Sequence, residues 1–265
     1  MTRDMRRQFI NIIAMIAVLA FNAISETLPI NNQTSADIAN RFSNNLYFPA
    51  NYAFSIWGII YLFLLAFTVY QALPSQRENP QLRKIGYMFA LTSLFNILWL
   101  TCFHYDAFGV SMVMMLCLLA TLLRLYLVLD IGGKPVSRAT KWLIHVPFSL
   151  YLGWITAATV ANASYVILDI RANNMLFDSD TVWAIIMLVV TGALGVFMTY
   201  TRRDYAYGLV VIWAVWAINA RHADTFPLIA GVSVGVCVAV AVTLAFTLFK
   251  TFRGQGEILA AKTAP

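Results

Sequence analysis

The sequence predicts an all-α integral membrane protein with eight spanning helices. Three observations carry that expectation. Of 265 residues, 60% are hydrophobic and only 11% are charged, where a soluble domain carries about 25% charged residues; the mean hydropathy is +0.72. The apolar stretches are long and lack the period-two alternation of barrel strands. Basic residues gather in every second gap between the stretches.

The gaps in charge place the spans. The first, 8–28, follows Arg3, Arg6 and Arg7. The second, 50–73, lies between Pro49 and Pro74. The third, 84–104, starts at Arg83-Lys84 and ends at His104. The fourth, 107–130, runs from Asp106 to Asp130. The fifth, 141–163, begins at Lys141. The sixth, 181–201, and the seventh, 204–221, are parted only by Arg202, Arg203 and Asp204. The eighth, 226–250, closes at Lys250. Each is close to the roughly 20 residues that a bilayer crossing needs.

With eight spans, fourteen basic residues fall on one side: Arg3, Arg6, Arg7, Arg77, Arg83, Lys84, Lys134, Arg138, Lys141, Arg202, Arg203, Lys250, Arg253 and Lys262. Three fall on the other: Arg41, Arg171 and Arg221. The positive-inside rule then puts both termini in the cytoplasm. The net charge of +6 is a topology signal and calls for no nucleic-acid partner. The expected setting is a bacterial inner membrane, with the lipid bilayer as the main partner. The basic start, the apolar run Phe9 to Phe21 and Ala23-Ile24-Ser25 also resemble a cleavable signal peptide. A retained first span completes the topology.

No acid–base or metal constellation is visible. The twelve acidic residues lie in loops, tails or helix ends, whereas a proton-coupled carrier usually keeps a carboxylate or histidine at bilayer depth. His104, His145 and His222 sit at helix ends and are expected to reach water. Cys102, Cys117 and Cys237 fall inside spans and read as small apolar fillers. No nucleophile elbow, P-loop or dinucleotide fingerprint appears. Catalytic residues and metal ligands are therefore not assigned.

Aromatic and amide groups remain. Asn96 and Trp99 share one apolar stretch, and Trp154 and Asn162 share another. Hydrocarbon supplies no hydrogen-bond partner, so such groups should face each other or a ligand. Indole rings at depth can pave a flat apolar pocket with one donor each. The alternative is that each ring only packs helix on helix. Trp142 and Trp183, near helix starts, read as interface anchors.

Tyr47-Phe48-Pro49, then Phe54-Ser55-Ile56-Trp57-Gly58 and Tyr61, resemble the start of the second helix in the TspO/MBR family, the tryptophan-rich sensory or translocator proteins. Asn96-Ile97-Leu98-Trp99 with Phe103 resembles its third-helix signature. Tyr151-Leu152-Gly153-Trp154, Ala158 and Asn162 resemble its fifth. Leu150 stands where the family often has Pro, and Ala161 where it usually has Leu. The resemblance covers roughly 8–165. It implies a five-helix bundle over residues 1–165 around a cavity for flat apolar ligands, porphyrins included. No cofactor is obligatory, and a tetrapyrrole or a lipid would be the guest. It also implies homodimerisation, largely through the third helix. The expected ligand-binding residues are Ala53, Trp57, Tyr61, Asn96, Trp99, Trp154, Ala158 and Asn162. Ala53 and Tyr61 share a helix face with Trp57. The run Arg124-Leu125-Tyr126-Leu127 loosely matches a reversed sterol motif, a weak pattern.

Residues 166–265 are expected to add a three-helix transmembrane unit that packs on the core or replaces a partner subunit. Trp213, Trp216 and Asn219 share one face of its middle helix. Gly231, Gly235 and Ala239 form a small-residue row suited to close packing. The expected function is a ligand-binding sensor or translocator. A transporter of another small apolar solute and an intramembrane pigment-modifying enzyme are the alternatives.

Overall fold

The structure, a computed structural model, describes residues 2–28, 30–41, 45–171 and 180–263. The helices are α1 (Arg3–Thr27), α2 (Ser35–Arg41), α3 (Ile56–Ala72), α4 (Pro80–Ile85), α5 (Met88–His104), α6 (Phe108–Val128), α7 (Arg138–Thr140), α8 (Val146–Arg171), α9 (Asp180–Arg202), α10 (Tyr205–His222) and α11 (Pro227–Thr263). A 3-10 turn, Asn51–Ser55, leads into α3, and a π-helical turn, Lys141–His145, joins α7 to α8.

Among the described residues, six segments are long and apolar enough to cross a membrane: Arg3–Thr27, Asn51–Ala72, Phe108–Val128, Arg138–Ile167, Asp180–Arg202 and Pro227–Arg253. The expected eight spans are corrected to six that meet this criterion. Helices α5 and α10 fall short of it, yet each still runs from the end of the bundle that holds the Asp4–Arg83 and Asp130–Arg202 pairs to the end that holds the Arg41–Asp106 pair and Arg221. The stretch 84–104 is cut at Gly86, whose φ of +56° ends α4 in the left-handed region. What remains, α5, has 17 residues, about 25 Å at 1.5 Å per residue against a hydrocarbon core of about 30 Å. Helix α10 has 18 residues. Its tyrosines, Asn219, Arg221 and His222 dilute its apolar character.

Helix α8 lies at the centre. Its membrane window is 72% buried, against 28–33% in the other five. It packs on α3, α6 and α10, while α10 packs also on α9 and α11, and α5 on α1 and α6. One apolar core joins Met15, Leu64 and Phe148 to Val211, Ala217 and Val240. It therefore runs across the 165/166 boundary without a break.

One carboxylate pins three of these helices. Asp204 Oδ2 accepts hydrogen bonds from the Tyr126 hydroxyl at 2.9 Å and the Ser149 hydroxyl at 2.7 Å. Its Oδ1 caps α10 by accepting from Tyr207 N–H at 3.1 Å. Burial raises the Asp204 pKa above the ordinary carboxylate value, and the bonds from Ser149, Tyr207 and Tyr126 offset part of that rise. Leu125 and Tyr126 are buried and Tyr126 is committed to Asp204, while Arg124 is exposed. The run Arg124 to Leu127 therefore offers no continuous lipid-facing motif.

The expected small-residue row does not make the close contact. Gly231, Gly235 and Ala239 are exposed, and a Cβ added at Gly231 or Gly235 would meet nothing within 4 Å. Gly192 and Gly195 of α9 make it instead. A Cβ on Gly192 would lie 2.7 Å from Val236 Cγ1, and one on Gly195 would lie 2.9 Å from Val211 Cγ1 and 3.1 Å from Val240 Cγ2.

Gly195→Val should overpack this contact and lower stability by about 1–3 kcal/mol. The measurement is the thermal midpoint in detergent, with Gly231→Val as a variant that leaves the midpoint unchanged. Asp204→Ala strands two buried hydroxyls, at about 1–3 kcal/mol each. It should lower the midpoint more than Ser149→Ala, which removes a single donor.

Candidate functional site

The 3-10 turn Asn51–Ser55 that follows Pro49 leads into α3, whose first turns present Trp57 and Tyr61 one turn apart on one face. Their rings stack, with centroids 5.3 Å apart at 18°. Trp99 from α5 lies 6.5 Å from Trp57. Trp154 and Tyr151 from α8 meet Trp57 edge-on at 6.3 and 6.0 Å. Trp57 is thus the hub of a cluster built by three helices. Each such pair contributes roughly 0.5–1.5 kcal/mol beyond its buried area. The cluster continues outward from Trp99 to Phe103 at 5.9 Å, and from Phe103 to Tyr165 at 5.4 Å.

Beside the cluster lies a cavity of about 570 Å³, a size typical of small-molecule sites. Trp57, Tyr61, Trp99, Trp154, Ala158 and Asn162 line it, and Ala53 and Asn96 do not. Ala53 is buried, and its carbonyl accepts from Trp213 Nε1 at 3.0 Å. Asn96 is buried, and its Oδ1 accepts from Asn22 Nδ2 at 2.9 Å. Asn96 therefore pins α1 to α5, and Asn22 lines the cavity. Asn162 does not meet Asn96. Its Oδ1 accepts from Ser111 Oγ at 3.4 Å, and its Nδ2 points to Met112 Sδ at 3.4 Å. The first contact is long for two oxygens, and in the second a thioether is a weak acceptor.

Three donors in the lining have no hydrogen-bond partner among the described residues: Trp99 Nε1, Trp154 Nε1 and the Tyr61 hydroxyl. A buried donor left without an acceptor costs about 1–3 kcal/mol. An acceptor on a bound molecule would recover that cost.

Several lining residues were not anticipated. Helix α1 contributes Leu19, Asn22 and Ala23, and α10 contributes Ala214 and Ile218. Ala214 and Ile218 stand at i and i+4, the spacing of one helix face, but spacing alone does not say which neighbour that face meets. Tyr47 reaches inward to place its hydroxyl 2.6 Å from Thr191 Oγ1.

Short helix α2 stands at the mouth, also unanticipated although its capping pattern is legible. Thr34 Oγ1 accepts from Asp37 N–H at 3.2 Å, and Asp37 Oδ2 accepts from Thr34 N–H at 2.8 Å, a reciprocal cap. Ser35 and Glu26 line the mouth, and the Ser35 hydroxyl donates to Glu26 Oε1 at 2.9 Å. Arg41 closes the element by pairing with Asp106 through both nitrogens, Nη1 at 3.1 Å from Oδ2. That bond holds the Arg41 guanidinium above its ordinary pKa. His104, expected to reach water, is buried with Nε2 3.3 Å from Ser35 Oγ; His145 and His222 are buried as well. Each trades hydration for a place in the packed bundle, while Trp142 is 56% exposed as an anchor would be.

The model of the family described as TSPO-like protein matches residues 8–248. Neither the curated proteins nor the solved structures contain a match to this chain. The family match extends through α9 and α10 and into α11, beyond the expected limit near residue 165, so these helices are not shown to be an addition to the family. The three motifs, the buried aromatic cluster and this match lead to one conclusion: the chain is an integral membrane protein that belongs to the TSPO-like protein family.

Proposed function

We propose that the cavity binds flat, apolar small molecules of the tetrapyrrole type and that the protein acts as a sensor or translocator for them. One observation carries this reading. A cavity of about 570 Å³ is paved by Trp57, Trp99 and Trp154, and it holds three buried donors without partners, on Tyr61, Trp99 and Trp154. A planar ring fits the indole faces, and a ring nitrogen or carbonyl would accept from the donors. The proposed activity is binding, without a chemical step. Homodimerisation belongs to the same proposal.

The orientation is also proposed. At one end of the bundle Asp4 pairs with Arg7 at 2.8 Å and Arg83 at 2.7 Å, and Asp130 pairs with Arg202 at 3.1 Å. At the other end lie Arg41, Asp106 and Arg221. We assign the first, more basic end to the cytoplasm.

Porphyrin binding should quench tryptophan fluorescence. Trp154→Ala should weaken binding by about 1–3 kcal/mol, roughly 5- to 150-fold. Trp183→Ala, outside the cavity, should change nothing. Arg124→Leu should leave affinity within about threefold, because an exposed side chain on α6 reaches the headgroups rather than the ligand. Tight binding that survives both Trp99→Ala and Trp154→Ala in folded protein would place the site elsewhere. Uptake of the same porphyrin into liposomes, dependent on the protein, would favour the translocator over the sensor.

For orientation, Lys134→Cys and Asp224→Cys can be probed in intact cells with a membrane-impermeant maleimide. Only the cysteine at 224 should react. Labelling at 134 alone would invert the assignment.

A further inference from the structure

The cavity's apolar walls leave open how a ligand is turned within them. Helix α10 contributes Ala214 and Ile218 to the lining. Arg221 follows one turn on, on the same face, just outside the lining and against Phe48 and Pro49, which belong to it. Its guanidinium carbon lies 5.1 Å from the centroid of Phe48, a ring that itself lines the cavity. Among the described residues, Arg221 Nη1 reaches neutral acceptors, Asn40 Oδ1 at 3.4 Å and the Pro49 carbonyl at 3.5 Å. Both distances sit at the long limit of a hydrogen bond. Among the described residues no carboxylate pairs with it, whereas Arg41, at the same end, is committed to Asp106. Among the described residues, Glu26 of α1 is the carboxylate that lines the cavity. Helix α1 packs on α3 and α5, and α10 packs on α8, α9 and α11, so the two charges approach the cavity from different helices.

We propose that Arg221 is the anion-recognising residue of this cavity, so that the preferred ligand is a flat apolar ring bearing a carboxylate, held with its charged edge at the α10 side of the mouth. The inference rests on the binding role proposed for the cavity and adds the ligand's charge and its orientation. The Phe48 face holds the guanidinium in place by a cation–π contact. The planar fork can then exchange two weak neutral bonds for a bidentate carboxylate pair. Glu26 repels the same group and sets its direction.

The test compares protoporphyrin IX with its dimethyl ester, which keeps the ring and removes the charge. Both are titrated against purified protein in nanodiscs by tryptophan quenching. The wild type should bind the diacid at least about tenfold more tightly. Arg221→Gln should abolish that preference while leaving the diester within about twofold, which also shows that the variant is folded. Arg221→Lys, keeping the charge without the fork, should retain part of the preference. Equal binding of the two ligands by the wild type overturns the proposal while the cavity's binding role stands. So does a preference that persists in Arg221→Gln. If Arg221→Gln loses both ligands, Arg221→Lys decides: it must still favour the diacid, or the proposal falls. If neither ligand quenches the wild type, the binding role itself fails.

Discussion

Hydrocarbon offers a side chain no hydrogen-bond partner, so each polar group buried in this bundle must find one inside it or go without. Much of the architecture follows from how that demand is met. Asn22 meets Asn96 and joins α1 to α5. Tyr126 and Ser149 meet Asp204 and join α6 and α8 to the start of α10. Tyr47 meets Thr191 and joins the segment before α3 to α9. These bonds fix which helices are neighbours, because an apolar contact would be equally satisfied by lipid tails. Where the demand is left unmet beside empty space, at Trp99, Trp154 and Tyr61, the bundle has a place for an acceptor that is not its own.

The same constraint explains why the C-terminal helices cannot be set apart from the rest. Trp213 of α10 donates to the Ala53 carbonyl, in the turn that delivers α3 to the aromatic cluster. Gly153 of α8 leaves room for Val210, whose Cβ would lie 3.1 Å from an added methyl. Helix α10 therefore supports the cavity from behind and also forms part of its wall through Ala214 and Ile218. The centre of the molecule is α8, in contact with helices from both halves, so the motif-bearing segment and the helices after it share one core.

The cavity combines two kinds of order. Its floor is rigid, since Trp57 touches Tyr61, Trp99, Tyr151 and Trp154, and aromatic side chains carry few rotatable bonds. Its mouth is held by ion pairs and exposed hydrogen bonds, Arg41 with Asp106 and Ser35 with Glu26. Contacts of that kind are worth little individually in water. A packed floor under a lightly latched mouth is an arrangement that could admit a ligand without disturbing the core.

By itself the sequence determined the class, the approximate helices and most members of the aromatic cluster. Composition and uninterrupted apolar runs are properties of single segments, and so is the spacing of Trp57 and Tyr61 on one face. The ordered motifs around Trp57, Trp99 and Trp154 likewise named residues that meet. The tertiary structure decided everything that depends on which faces touch. It assigned Asn96 to Asn22 rather than to the cavity, Ala53 to Trp213, and close packing to Gly192 and Gly195 rather than to Gly231 and Gly235. It also reduced eight expected spans to six that are long and apolar enough to cross: Gly86 leaves α5 with 17 residues through a backbone angle that hydropathy does not register, and polar side chains dilute the 18 residues of α10. Periodicity tells which residues of one helix share a face. Only packing tells what that face meets.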